Sequence, residues 1–290
     1  MTLFTDTIVV FQCQRLALAH KSELGYRRLN DLFFSEQRHL LPKTISNLQL
    51  EPVHSSPNIY KISNFLTAQE LDYFSDKIHK YAFQRSYVDK QEDCQDQGTT
   101  QQKSTFDNQH RTSSFLSFQK QQDKVISGIE QRAADLLGCW SPTDSIEALQ
   151  LVRYKKGQFF GVHHDLGNLE DSGHVQLPPK SIWVKRRIAT LFCYLNEPDE
   201  GGETWFPEAS NIRVPPETGS AVLFCNIQSD GMPDPRTVHA GTKVLAGIKY
   251  GLNIWICESS KWADGQLGDD EKIRVPLLIQ HTKSIGYYVY

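Results

Sequence analysis

Between residues 147 and 258 the sequence is a succession of short apolar runs cut by turn-forming residues. The runs read ALQLVRY, IATLFCYL, TWFPE, SAVLFCNI and YGLNIWICE, and Gly201-Gly202, Pro215-Pro216 and Asp230-Gly231 punctuate the series. Each run suits a strand and is short for a helix, and β-branched and aromatic residues recur in them. Strands of this kind bury their apolar residues by stacking or closing on one another, so the series predicts a β-sandwich or barrel, of which the jelly roll is one form.

Helical signals lie upstream. From residue 52, PVHSSPNIYKISNFL reads as a short strand entering a helix. Thr67 and Glu70 have capping-box spacing, with Leu66 and Leu71 placed as a hydrophobic staple. Leu71, Phe74, Ile78 and Tyr81 follow at helical spacing, which predicts a helix over about 68–82. A second helix puts Val125, Ile126, Ile129, Ala133 and Leu136 on one face, with Gly138 just past its end. Between the helices, the polar, Gln- and Asp-rich stretch 89–110 reads as a long loop, either a lid or a solvated insertion. RTSSFLSF (111–118), with Arg111 and Ser113, reads as a core strand. The expected organisation is an extension or packed helical arm over 1–51, a folded domain over 52–258, and a tail over 259–290 carrying a candidate edge strand, VPLLIQ.

Composition narrows the function classes. Hydrophobic residues make up 39% and charged residues 22%, as in an ordinary globular domain. A formal net charge of −3 gives no footprint for nucleic acid. No apolar run is long enough to predict a membrane span, and Gln12, Gln14 and Arg15 interrupt the N-terminal apolar stretch where a signal peptide would need continuity. The six cysteines form no C-x-x-C pair, and three sit in apolar runs; they read as buried reduced thiols, favouring the cytoplasm over the secretory pathway.

The chemistry concentrates in GVHHDLG and RTVHAGTKV. Residues i and i+2 of a strand share a face, so the His163 imidazole and the Asp165 carboxylate converge while His164 points the other way. With His239 they make a two-His, one-carboxylate set that leaves coordination positions open, as in Fe(II) oxygenases; zinc hydrolases use the same ligands. Lys249 lies in a predicted strand, and a buried lysine needs an anionic partner.

Three blocks, LQLVRYKKGQFFGVHHD, RRIATLFCYLNEPDEGGETWFP and TVHAGTKVLAGIKYGLNIW, resemble in order and spacing the prolyl 4-hydroxylase family of Fe(II)/2-oxoglutarate-dependent dioxygenases. The resemblance covers about residues 52–258. It implies a mainly β, α+β fold with flanking helices and a double-stranded β-helix core, jelly-roll or cupin-like, over about 147–258. It implies His163, Asp165 and His239 as the iron ligands, with no catalytic residue beyond them. It assigns Lys249 to the distal carboxylate of 2-oxoglutarate, with Tyr154, Thr190 and Trp255 lining the same cosubstrate. Ascorbate is the implied reductant, and a peptide or protein containing proline the implied substrate.

The chain also departs from the family. Cys257 stands where a histidine is frequent, Lys243 where proline is common, and Tyr250 where tryptophan often follows the lysine. These positions bear on the substrate rather than on iron or cosubstrate, so a lysyl-type target stays open. A nucleic-acid demethylase of this type would usually carry arginine at Lys249. The readings from other classes are a non-catalytic jelly-roll binding module, which has no physical need for all four of His163, Asp165, His239 and Lys249, and a zinc hydrolase indifferent to 2-oxoglutarate.

Overall fold

The strand runs set the layering of the protein, seen in a computed structural model that describes residues 28–34, 43–86, 110–139, 141–177 and 185–258. The stretch 1–27, nearly all of the polar loop (87–109) and the tail 259–290 with VPLLIQ lie outside the described residues. Strands β1 (Lys43–Ile45), β2 (Leu48–Ser55) and β3 (Asn58–Ile62) form an antiparallel meander. The stretch from residue 52 is thus a hairpin rather than one strand. Its turn falls at Ser56-Pro57, where proline has no N–H to donate to a ladder. Leu29 and Leu32, further upstream, are buried in the main core.

Helix α1 (Ala68–Lys80) starts where the sequence places it. Thr67 Oγ1 accepts from the Glu70 amide, and the Glu70 carboxylate accepts from the Thr67 amide. Helix α2 (Lys124–Leu137) is capped by Asp123 and ends on Gly138, whose φ of 65° suits glycine. Between them lie β4 (Gln84–Arg85) and β5 (Ser114–Ser117), and a short helix α3 (Pro142–Ser145) follows.

The rest is strand. In chain order come β6 (Gln150–Lys155), β7 (Phe160–His163), a small hairpin of β8 (Asn168–Leu169) and β9 (Val175–Gln176), β10 (Arg187–Tyr194), β11 (Glu200–Gly201), β12 (Thr204–Phe206), β13 (Ile212–Val214), β14 (Ala221–Cys225), β15 (His239–Gly241), β16 (Val244–Ala246) and β17 (Ile248–Cys257). The major sheet has the order β1-β2-β3-β14-β10-β17-β6-β5-β4, and the minor sheet β13-β12-β15-β7. Four central strands of the major sheet face the four of the minor sheet, which makes the mainly β, double-stranded β-helix core.

β10 shows how both faces are filled. Ala189, Leu191 and Cys193 join the cluster that includes Ile126, Ile129 and Ala133 of α2. Tyr194 on the opposite face joins Phe206, Val214, Val222 and Phe224 between the sheets. A strand covered on both faces reads as continuous apolar sequence, as IATLFCYL does. The four cysteines among the described residues, Cys139, Cys193, Cys225 and Cys257, are buried and unbridged.

Gly251 in β17 lies beneath the Phe192 ring, and a Cβ added there would sit 2.2 Å from Phe192 Cζ. Gly251→Ala is therefore expected to displace that ring and lower stability by about 1–3 kcal/mol, read as a reduced urea midpoint at unchanged m-value.

Candidate active site

The site forms where the two sheets meet. β15 pairs with β7 so that His239 lies opposite His163, and the two imidazole centroids are 4.3 Å apart. Asp165 follows in the turn after β7. Its Oδ1 is 3.6 Å from His163 Nε2 and its Oδ2 is 3.7 Å from His239 Nε2. One ligand atom from each residue lies within 4.8 Å of the others, close enough to share one ion.

The hydrogen bonds around the rings fix which nitrogens are free. His163 Nδ1 is 2.8 Å from the Gly161 carbonyl oxygen, and His239 Nδ1 is 3.0 Å from that of Thr237. A carbonyl only accepts, so each Nδ1 carries the proton and each Nε2 keeps its lone pair toward Asp165. Burial, and then the neighbouring His163, pushes the His239 pKa down to about 3, so this ring is neutral near pH 7. Burial alone would raise the Asp165 carboxyl. The imidazoles of His239 and His163 and the Arg187 guanidinium outweigh it and hold its pKa well below the usual range.

His164 turns away, as the i, i+2 argument requires. Its Nδ1 accepts from the Leu166 amide, and its Nε2 donates to the Asp234 carbonyl oxygen at 3.1 Å. Both nitrogens are thus committed to the backbone. Phe160 stacks on His163 at 3.6 Å with the planes 16° apart, and the Arg111 guanidinium lies 4.4 Å from the centre of the Phe160 ring. Arg111 also donates to Ser113 and to Gln150, so it sits at the site's edge as well as in the core region that the sequence suggests.

Two residues expected at the cosubstrate line this cavity and also bind Asp165. The Thr190 hydroxyl donates to Asp165 Oδ2 at 2.6 Å and accepts from Asn226 Nδ2 at 3.0 Å. Trp255 Nε1 donates to the same oxygen at 3.2 Å. Arg187 stacks 3.7 Å over the Trp255 ring and forms a two-bond pair with Glu147, whose Oε1 also accepts from Cys257 Sγ.

Lys249 lies at the other end of the same cavity, only 2% exposed. Its Nζ is 5.5, 4.9 and 5.4 Å from the ring centres of Tyr154, Phe192 and Tyr194. No carboxylate among the described residues pairs with it. Burial pushes its pKa down to about 7, and the charge of Glu203 acts against that. Thr204, which sequence reasoning passed over, lines this cavity, with its hydroxyl 2.7 Å from that of Tyr194. The signal was present in GGETWFP: Thr204 alternates with Trp205 and so faces inward beside Phe206. The donor set suits a divalent ion, and the unpaired ammonium suits an anion, so both ends of the cavity fit an iron-bound dicarboxylate.

Residues 149–257 match the family model described as the 2OG-Fe(II) oxygenase superfamily. Prolyl 4-hydroxylase 2 of Arabidopsis thaliana is 33% identical over 242 residues, spanning 74% of this chain and 72% of the relative. The chain belongs to the prolyl 4-hydroxylase family. Prolyl 4-hydroxylase 1 of the same plant is 31% identical, over 73% of each chain. A viral collagen prolyl hydroxylase from Paramecium Bursaria Chlorella virus-1, solved as its 2-oxoglutarate complex, aligns with a TM-score of 0.49 at 26% identity, over 68% of this chain and 94% of the other. Family membership makes the chain an Fe(II)/2-oxoglutarate-dependent dioxygenase, with ascorbate as the usual reductant of prolyl hydroxylases.

The two adjacent histidines separate by measurement. His164→Ala removes the acceptor of the Leu166 amide in a buried setting, while the Asp234 carbonyl keeps the amide and hydroxyl of Thr237 as donors. The substitution is expected to cost the metal-free chain about 1–3 kcal/mol in chemical denaturation, while His163→Ala, which relieves crowding among three polar groups, costs less.

Proposed function

We propose that this dioxygenase hydroxylates proline residues in peptides or proteins, releasing succinate and CO2. The observation that carries the reading is Lys249: an ammonium buried among three rings, without an anionic partner among the described residues, across one cavity from His163, Asp165 and His239. A buried cation without a partner is costly unless a ligand supplies the opposite charge.

In this reading, His163, Asp165 and His239 hold Fe(II) through Nε2, a carboxylate oxygen and Nε2. When bound, iron and 2-oxoglutarate supply an oxidation that couples decarboxylation of the oxo acid to hydroxylation of a C–H bond. The chain provides placement. Lys249 takes the distal carboxylate, with Tyr154 and the Thr204 hydroxyl beside it. Thr190 and Trp255 orient Asp165, which leaves Oδ1 as the oxygen better placed for the metal. Phe160, Phe192 and Phe224 line the cavity and exclude water. Proline as the target follows the names of the Arabidopsis relatives, and the domain that performs the chemistry spans about 52–258.

Asp165→Ala should lose Fe(II)-dependent conversion of 2-oxoglutarate to succinate; retained turnover removes Asp165 from the ligand set. Lys249→Ala should raise the 2-oxoglutarate KM by roughly two orders of magnitude, as expected for a lost buried ion pair of about 3 kcal/mol. Mass spectrometry of proline-rich peptides after incubation with enzyme, Fe(II), 2-oxoglutarate and ascorbate reads the target. A gain of one oxygen on proline supports the proposal, and a gain on lysine alone refutes it.

A further inference from the structure

Lys249 sits in surroundings that oppose its own charge. β6 contributes Tyr154 and β10 contributes Phe192 and Tyr194, all as ring faces. Rings offer attraction but no hydrogen-bond acceptor, and they cannot replace the hydration of an ammonium. Gly202 comes so close that a Cβ there would be 3.2 Å from Lys249 Cδ, and its φ of 80° also suits glycine. The segment leading into β12 therefore wraps the lysine stem.

Glu203 follows at once in this segment. It forms no ion pair with Lys249, because its carboxylate is turned to the Thr242 hydroxyl, and its backbone carbonyl accepts from the Thr242 amide at 2.9 Å. The hydrogen bond from Thr242 outweighs burial and keeps Glu203 ionised, with the Arg213 guanidinium helping. Glu203 is the one charged group among the described residues that acts appreciably on Lys249; His163, Asp165 and His239 line the far end of the cavity. A fixed carboxylate near a buried ammonium in a low-dielectric setting acts through space, without contact.

We propose that Glu203 is a positioning residue for the cosubstrate: anchored on Thr242, it keeps Lys249 cationic while leaving the ammonium unpaired for an incoming carboxylate. A direct Glu203–Lys249 ion pair would compete with the ligand, and no carboxylate at all would let the lysine lose its proton. Anchoring the carboxylate one residue away avoids both. The inference rests on the reading that Lys249 binds the distal carboxylate of 2-oxoglutarate.

The sign of the pH effect follows. Protonated Lys249 binds the dianion, so affinity is complete below the lysine pKa and falls about tenfold per pH unit above it. Glu203→Gln removes a raising influence and moves that fall to lower pH.

Two measurements on the full chain test this. In metal-free protein with 13C-labelled lysine, the Lys249 Cε resonance, assigned by its loss in Lys249→Arg, is titrated by NMR. Its midpoint should be well below the ordinary lysine range and lower still in Glu203→Gln, with Glu203→Asp returning toward wild type. Calorimetry of 2-oxoglutarate into the Mn(II)-loaded chain should show the Glu203→Gln dissociation constant raised at least about threefold just above neutral pH, with the pH profile moved to the acid side. Maximal turnover at saturating 2-oxoglutarate should be unchanged. An unaltered Lys249 midpoint in Glu203→Gln overturns the proposal, and so does an ordinary lysine midpoint in the wild type, which needs no variant to fold. If Lys249→Ala leaves 2-oxoglutarate binding intact, the functional reading beneath it fails instead.

Discussion

The pairing of β15 with β7 decides whether there is a site at all. These strands are only three and four residues long, yet their register sets His239 against His163. A slip of one residue would turn one imidazole out of the cavity, because side chains alternate faces along a strand. The register is not held by the ladder alone. Gly161 donates to the His110 carbonyl at 2.7 Å and Thr112 donates to that of Phe159, so the outer edge of β7 is covered by the chain around residue 111. The stack of Arg111, Phe160 and His163 then fixes the ring plane. A short strand is thereby braced from both sides.

The minor sheet supplies the two imidazoles, but the carboxylate is secured by the major sheet. Asp165 lies in a turn, where the backbone has more freedom, and its Oδ2 is held by Thr190 of β10 and Trp255 of β17. Those two residues are directly opposite in the β10–β17 register, so both donors reach one oxygen from adjacent strands. The Arg187 guanidinium, paired with Glu147, stacks over the Trp255 ring. Hydrogen bonds to an ionised carboxylate are stronger than neutral ones and favour its charged form. The three-residue cluster is therefore a seam between sheets, and core packing and site geometry are set by the same contacts.

This explains what was legible in the sequence. The strand runs, both helices, the start of the first and the end of the second could be read because each is a local pattern: alternation, a period of 3.6, a Thr–Glu spacing, a glycine past a helix end. The choice of His163 over His164 was also local, needing only strand alternation. The hairpin of β2 and β3 was not legible, because a Ser-Pro turn within apolar sequence resembles an irregular continuation of one strand. The contacts of Thr190 and Trp255 with Asp165 were hidden for a different reason. Both were correctly placed at the cavity, but which of its two ends each hydroxyl or indole N–H serves depends on the register of three strands and on the turn carrying Asp165. Thr204 was not legible because a strand of three residues offers too little alternation to set which way its first residue faces.

The cavity has chemically opposite ends, and that polarity restricts what can fill it. At one end, two imidazoles and an ionised carboxylate converge, a setting for a cation. At the other, an ammonium faced by three rings presents a positive charge that the rings attract without restoring its hydration. A monoanion could satisfy only one end and would leave the other desolvated and unpaired. A molecule that chelates a metal with one acidic end and carries a second carboxylate at its far end satisfies both. Since the walls between are Phe192, Phe224 and Tyr154, the span linking those two groups must be short and apolar. The aliphatic stem of 2-oxoglutarate meets that requirement, so the apolar packing that closes the core is also compatible with the family's cosubstrate.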